Sequence, residues 1–193
     1  MLDQFPKEFS QSSLVIGNPT TPNPKEALKF SEREAKEVVA SILETSEEDV
    51  LVQKDASKVN VIKKISKAQW IHLACHGEMS KKLDPHSIFE GLLKLAPDEK
   101  HPEGYLYTQE ITSLNLCANL VFLSACFSGR GNPQQEGTIG PVWSFLAAGA
   151  LSTIATYWRL PDGELTLEIV KTFYSHLLGI GTKKLNLHKD LEK

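Results

Sequence analysis

Two apolar runs, each closing on a reactive side chain beside glycine, constrain this chain more than any other feature. The first is Trp70-Ile71-His72-Leu73-Ala74-Cys75-His76-Gly77. The second is Leu120-Val121-Phe122-Leu123-Ser124-Ala125-Cys126-Phe127-Ser128-Gly129. Short apolar runs bounded by glycine read as buried strands of a parallel sheet. In open α/β sheets the chemistry gathers beyond the carboxyl ends of the strands. One such end here carries a histidine and another a cysteine, the two parts of a thiol nucleophile and its base.

The rest of the pattern supplies the partners such strands need. Ser13-Leu14-Val15-Ile16-Gly17 reads as a first strand stopped by Asn18-Pro19, and Thr20 to Pro24 as a loop. From Lys25 to Leu43 the apolar residues Ala27, Leu28, Ala35, Val38, Val39, Ile42 and Leu43 have the spacing of an amphipathic helix. Val50-Leu51-Val52 is a short strand, and Ser57 caps a helix through Ile65. Ile88 to Leu95 and Tyr105 to Thr108 carry weaker strand signals, and Thr108 is placed to cap a helix from Gln109 to Leu114. Thr138 to Ala150 predicts a helix buried on most sides, Leu151 to Trp158 a strand, Pro161-Asp162-Gly163 a turn, and Glu164 to Leu178 an amphipathic helix. Alternating strands and helices imply βαβ units in a three-layer α/β domain. The expected boundaries are a linker over 1–12, the domain over 13–180 and a flexible tail over 181–193.

Composition narrows the function. The chain of 193 residues is 41% hydrophobic, enough for one sizeable core, and its formal charge is −3. That balance argues against a nucleic-acid footprint or a polybasic membrane patch. No apolar run reaches the ~20 residues of a membrane span. Met1 to Phe9 lacks the pattern of a signal peptide. Three cysteines do not make a disulfide framework, so a reducing, cytoplasmic location is expected.

Strand side chains alternate. His72, Ala74 and His76 therefore share one face, and Cys75 lies on the other with Leu73 and Ile71. This points to Cys126 rather than Cys75 as the reactive thiol, while Cys117 lies at the wrong end of its strand. Gly77 leaves its N–H open to a substrate carbonyl, and the N–H groups of Gly77 and Cys126 could form an oxyanion hole. The same residues have plainer readings as a core thiol and a structural histidine. His72, Cys75, His76 and Cys126 could also be read as metal ligands, but Cys75 faces away and there is no CxxC pair. The G-x-S-x-G elbow of a serine hydrolase is absent.

At these residues the chain resembles the CHAT domain, a caspase-like cysteine peptidase domain related to separase. The resemblance lies in Ala74-Cys75-His76-Gly77, Pro85-His86-Ser87-Ile88, Leu123-Ser124-Ala125-Cys126, Glu136-Gly137, Phe145-Leu146-Ala147-Ala148-Gly149-Ala150 and Tyr157-Trp158-Arg159-Leu160-Pro161-Asp162. It implies a caspase-like fold with a central, mostly parallel sheet flanked by helices. It also implies His76 as base, Cys126 as nucleophile, and Gly77 and Cys126 amides as oxyanion donors. Asp162 matches the acid that binds a basic P1 side chain in separase-like relatives, and Trp158 would wall its stem. The implied activity is a cysteine endopeptidase without metal or organic cofactor, acting on a specific cytoplasmic protein. A regulatory repeat or sensor domain, in cis or in trans, would be its partner. A catalytically silent interaction module of the same fold is the alternative from another class, and a small-molecule thiol amidase or acyltransferase a third.

Overall fold

The structure, a computed structural model, describes residues 12–79, 91–126, 128–134 and 137–180. The expected linker up to residue 11, the tail from 181, Pro85 to Ile88, Phe127 and Glu136 lie outside those residues. The centre is a five-stranded parallel sheet. Its strands are β1 (Ser13–Pro19), β2 (Val50–Gln53), β3 (Trp70–Ala74), β7 (Leu120–Ser124) and β10 (Thr153–Ile154), ordered β10-β7-β3-β1-β2. Every residue of β1, β3 and β7 is buried, as expected of strands covered on both sides.

The period-two alternation divides the core in two. Leu14, Ile16, Ile71, Leu73, Cys75, Val121 and Leu123 face one layer, which holds Val61 and Ile65 of α2 (Lys58–Ile65), Ile111 of α3 (Thr108–Thr112) and Phe145 of α4 (Pro141–Ala147). Val15, Trp70 and Phe122 face the other. That layer holds Ala35 and Val39 of α1 (29–42), and Val170 and Tyr174 of α5 (Glu164–Leu177). The middle of α1, Glu34–Val39, winds as a π-helix. The chain is thus an α/β domain with a parallel central sheet and helices around it, as the sequence implied.

Two smaller sheets sit beside the strand ends. β4 (His76–Glu78), β5 (Leu92–Lys94) and β6 (Tyr105–Tyr107) are antiparallel, and β8 (Asn132–Gln134) pairs with β9 (Gly137–Ile139). β4 follows β3 after the single residue Cys75, so His76 leaves the central sheet and enters another one.

Several elements differ from expectation for local reasons. The helix predicted from Lys25 begins at Lys29, behind a 3₁₀ turn (Pro24–Glu26) and extended Ala27. The helix predicted from Thr138 begins at Pro141, where proline suits the first turn, and Trp143 and Leu146 are exposed rather than buried. The strand expected over Leu151 to Trp158 pairs only at Thr153–Ile154. Thr108 does not cap its helix: its hydroxyl donates to the Gly91 carbonyl, and Glu110 accepts from the Tyr107 N–H instead.

One close approach fixes α1 over the sheet. A Cβ on Gly17 would stand 2.5 Å from the Cβ of Ala35 and 2.6 Å from the Ser31 carbonyl oxygen. Only glycine lets β1 and α1 meet at that spacing. Gly17→Ala is expected to lower unfolding stability by about 1–3 kcal/mol in urea titration. An unchanged midpoint would show that α1 yields without cost.

Candidate active site

β3 and β7 pair in parallel with Ala74 opposite Ser124. His76 and Cys126 each lie two positions beyond these partners. They stand at the carboxyl ends of adjacent strands, and both line one cavity of about 640 Å³. Gly77, Ser124, Leu160, Asp162 and Thr166 border it too, with Arg130 and Arg159.

The imidazole is oriented by backbone. His76 Nε2 lies 2.7 Å from the carbonyl oxygen of Glu26. A carbonyl only accepts, so Nε2 carries the hydrogen, and in neutral imidazole Nδ1 is then the basic nitrogen. Glu26 belongs to the strap of chain between β1 and α1. The strap is tied down at three points. The Leu28 N–H donates to Asn18 Oδ1 at 2.7 Å. Lys94 Nζ, on the strand beside β4, reaches Glu26 at 3.6 Å and Glu78 at 3.2 Å. Asp162 accepts from the N–H groups of Phe30 and Ser31 and from the Ser31 hydroxyl, at 3.2, 2.8 and 3.0 Å.

The thiol is held by the loop after β10. Cys126 Sγ lies 3.5 Å from the Leu160 carbonyl oxygen, to which the thiol can donate. It lies 3.4 Å from the Leu160 N–H, which can donate to sulfur. The turn behind it is pinned: Thr156 Oγ1 and Ser128 Oγ both donate to the Ala125 carbonyl, at 2.7 and 2.9 Å. No hydrogen bond joins His76 to Cys126 in this state. Both side chains are half-buried, so each stays accessible from the cavity.

The chain belongs to the CHAT domain family. Its family model, described as CHAT domain, matches residues 3–191. This is a caspase-like, protease-type family. No curated protein matches the chain.

Against that family pattern the expected residues fall unevenly. His76, Gly77 and Cys126 come together. Gly77 has a reason beyond substrate access, because a Cβ there would collide with the Cys126 carbonyl oxygen. Asp162 borders the cavity, but its carboxylate caps the amino end of α1 instead of standing unengaged. Trp158 is 70% exposed and does not border the cavity, so the expected apolar wall is not built by it. The chain bends at Tyr157 and Trp158, beyond the paired residues, and leaves the ring in solvent. His72 is wholly buried between Glu34 (Nε2 to Oε1, 2.8 Å) and Tyr174 (Nδ1 to the hydroxyl, 3.1 Å), so its nitrogens are committed away from the cavity. Burial, reinforced by the nearby Glu34 charge, holds the Tyr174 phenol well above its ordinary pKa, so it keeps its proton to donate. Glu26 and Leu160 act through backbone atoms, for which the sequence has no signal.

Cys75 is 2% exposed among Ile71 and Leu73. Burial, with a smaller contribution from Cys126, pushes its pKa up to about 12. A thiol that rarely ionises is inert. Brief alkylation of the native protein with iodoacetamide at pH 8 should modify Cys126 and exposed Cys117 and spare Cys75, read by peptide mass spectrometry. Equal modification of Cys75 would show that the strand end opens.

Proposed function

We propose that this CHAT domain is a cysteine endopeptidase with a His76–Cys126 dyad, acting on a specific protein in the reducing cytoplasm. The observation that carries the reading is the Glu26 carbonyl bond to His76 Nε2, which leaves Nδ1 as proton acceptor beside a cavity that Cys126 shares. Nδ1 takes the Cys126 proton, and the thiolate forms a C–S bond to the scissile carbonyl carbon. The N–H groups of Gly77 and Cys126 stabilise the oxyanion. Imidazolium gives its proton to the leaving amine as the C–N bond breaks. Water, deprotonated by His76, then releases the acid from the thioester. No step requires a metal or an organic cofactor. Asp162 provides negative charge at the cavity wall for a basic P1 residue. A regulatory repeat or sensor domain is the partner that controls access.

One observation favours the rival reading of a silent interaction module: the thiol is satisfied by Leu160 and not by the histidine. Incubation with a diverse peptide library separates the two. The wild type should cut at few sites, with basic residues at P1. Cys126→Ala should be inactive, and His76→Ala should fall by about 10²–10⁴-fold in kcat/KM. Asp162→Asn removes the charge and keeps one acceptor oxygen for the Ser31 N–H and hydroxyl, so it should weaken cleavage after arginine far more than it slows alkylation of Cys126. No cleavage by a folded wild type, or equal cleavage by Cys126→Ala, would contradict the peptidase reading.

A further inference from the structure

The peptide unit between Ala125 and Cys126 is gripped on one side. Two hydroxyls donate to the Ala125 carbonyl, Thr156 Oγ1 at 2.7 Å and Ser128 Oγ at 2.9 Å, and the Ser128 N–H adds a longer contact at 3.4 Å. One hydrogen bond is enough to satisfy a buried carbonyl. Each hydroxyl has a more distant alternative, the Leu123 carbonyl at 3.3 Å for Ser128 and the Trp158 carbonyl at 3.3 Å for Thr156. Both instead lie nearer the same oxygen. The two residues also hold each other's segments: the Thr156 N–H donates to Ser128 Oγ at 3.2 Å, and the Gly129 N–H donates to the Thr156 carbonyl at 2.8 Å. Ser128 is 1% exposed, so water does not compete for its hydroxyl.

The same peptide unit carries a group that acyl transfer needs. It is planar and trans, so its N–H points opposite to its C=O. That N–H belongs to Cys126, one of the two expected oxyanion donors, and no described residue accepts from it. Fixing the carbonyl therefore fixes the direction of a donor that is still open. Hydrogen bonds accepted by a carbonyl also polarise its peptide and strengthen the donor at the other end. Neither Ser128 nor Thr156 borders the cavity, so both act on the site only through this peptide.

We propose that Ser128 and Thr156 are positioning residues for the oxyanion hole: by holding the Ala125 carbonyl they aim and polarise the Cys126 N–H. This rests on the peptidase reading above and deepens it. The effect is confined to steps in which negative charge builds on a carbonyl oxygen. When the thiolate adds to a peptide carbonyl, the C–S bond forms, the carbon–oxygen π pair moves onto oxygen, and the Cys126 N–H meets that charge. When the same thiolate displaces iodide from iodoacetamide, the carbonyl is not attacked and no oxyanion forms. Ser128 and Thr156 therefore govern acylation and leave alkylation alone, a separation that a merely structural role does not produce.

The test compares peptidyl coumarin amides bearing arginine, leucine or aspartate at P1 with iodoacetamide. Thr156→Val removes one hydroxyl at nearly constant shape. On the amide that the wild type cleaves best, its kcat should fall about tenfold with KM little changed, less than the roughly 10²–10³-fold of a donor removed outright. Alkylation of Cys126 should keep the wild-type rate. Thr156→Ser should recover most of kcat, and Ser128→Ala should repeat the loss. In carbon-13 NMR of Thr156→Val the Ala125 carbonyl signal should move upfield, as loss of an accepted hydrogen bond requires. An unchanged kcat or an unmoved carbonyl signal in Thr156→Val overturns the assignment. So does an alkylation rate that falls in step with kcat, or a Thr156→Ser variant that stays as slow as Thr156→Val. If the wild type cleaves none of the amides while iodoacetamide still modifies Cys126, the peptidase reading fails and this one with it.

Discussion

The bond from His76 Nε2 to the Glu26 carbonyl is the contact on which the rest of the site depends. It selects the tautomer, fixes the plane of the ring and couples the histidine to chain that lies fifty residues earlier. A side-chain acceptor would swing on its own rotamers. A backbone carbonyl moves only if its segment moves, and this segment is held by Asn18, by Lys94 and by Asp162 at the start of α1. Preorganisation of this kind is what the proposed dyad would need to hold its base in place.

Beneath the site, the face of the central sheet that carries His72 holds a second polar chain. Glu34, His72 and Tyr174 are each nearly or wholly buried, and each is hydrogen-bonded to another member. Glu34 comes from the π-wound turn of α1 and Tyr174 from α5, so the chain joins both covering helices to β3. Satisfied buried groups of this kind register elements against one another, since a shifted helix would leave a charge or a hydroxyl unpaired at a cost of about 1–3 kcal/mol. The helix that aims His76 through its leading strap is thereby fixed by groups that take no part in the chemistry. The Gly17 approach does the same by shape: β1 has no side chain where α1 crosses it.

What the sequence discloses and what it hides follow from the range of the interactions. Alternation over Ile71, His72, Leu73 and Cys75 is a local property, so both the core placement of Cys75 and the outward turn of His76 are legible. Parallel pairing then brings His76 and Cys126 to one end. The start of α1 is not legible, because its cap, Asp162, lies more than a hundred residues away and reads locally as an ordinary turn residue. Glu26 and Leu160 contribute backbone atoms, which no residue type announces. Trp158 shows the opposite failure: an aromatic residue after an apolar run reads as part of a strand, yet pairing stops at Ile154 and the ring is exposed. Ser124 is visible as part of a family pattern, but that its buried hydroxyl has no hydrogen-bond partner shows only in three dimensions.

The central claim, that the Glu26 carbonyl holds His76 with its hydrogen on Nε2 and leaves Nδ1 as the base, is tested most directly by nitrogen-15 NMR of the imidazole. Long-range proton–nitrogen correlation in the native protein, with His76→Gln to assign the signals, reports the tautomer. The account expects the neutral ring of His76 to carry its hydrogen on Nε2. A ring protonated on Nδ1 instead would contradict it, since the nitrogen required to accept the thiol proton would already hold one.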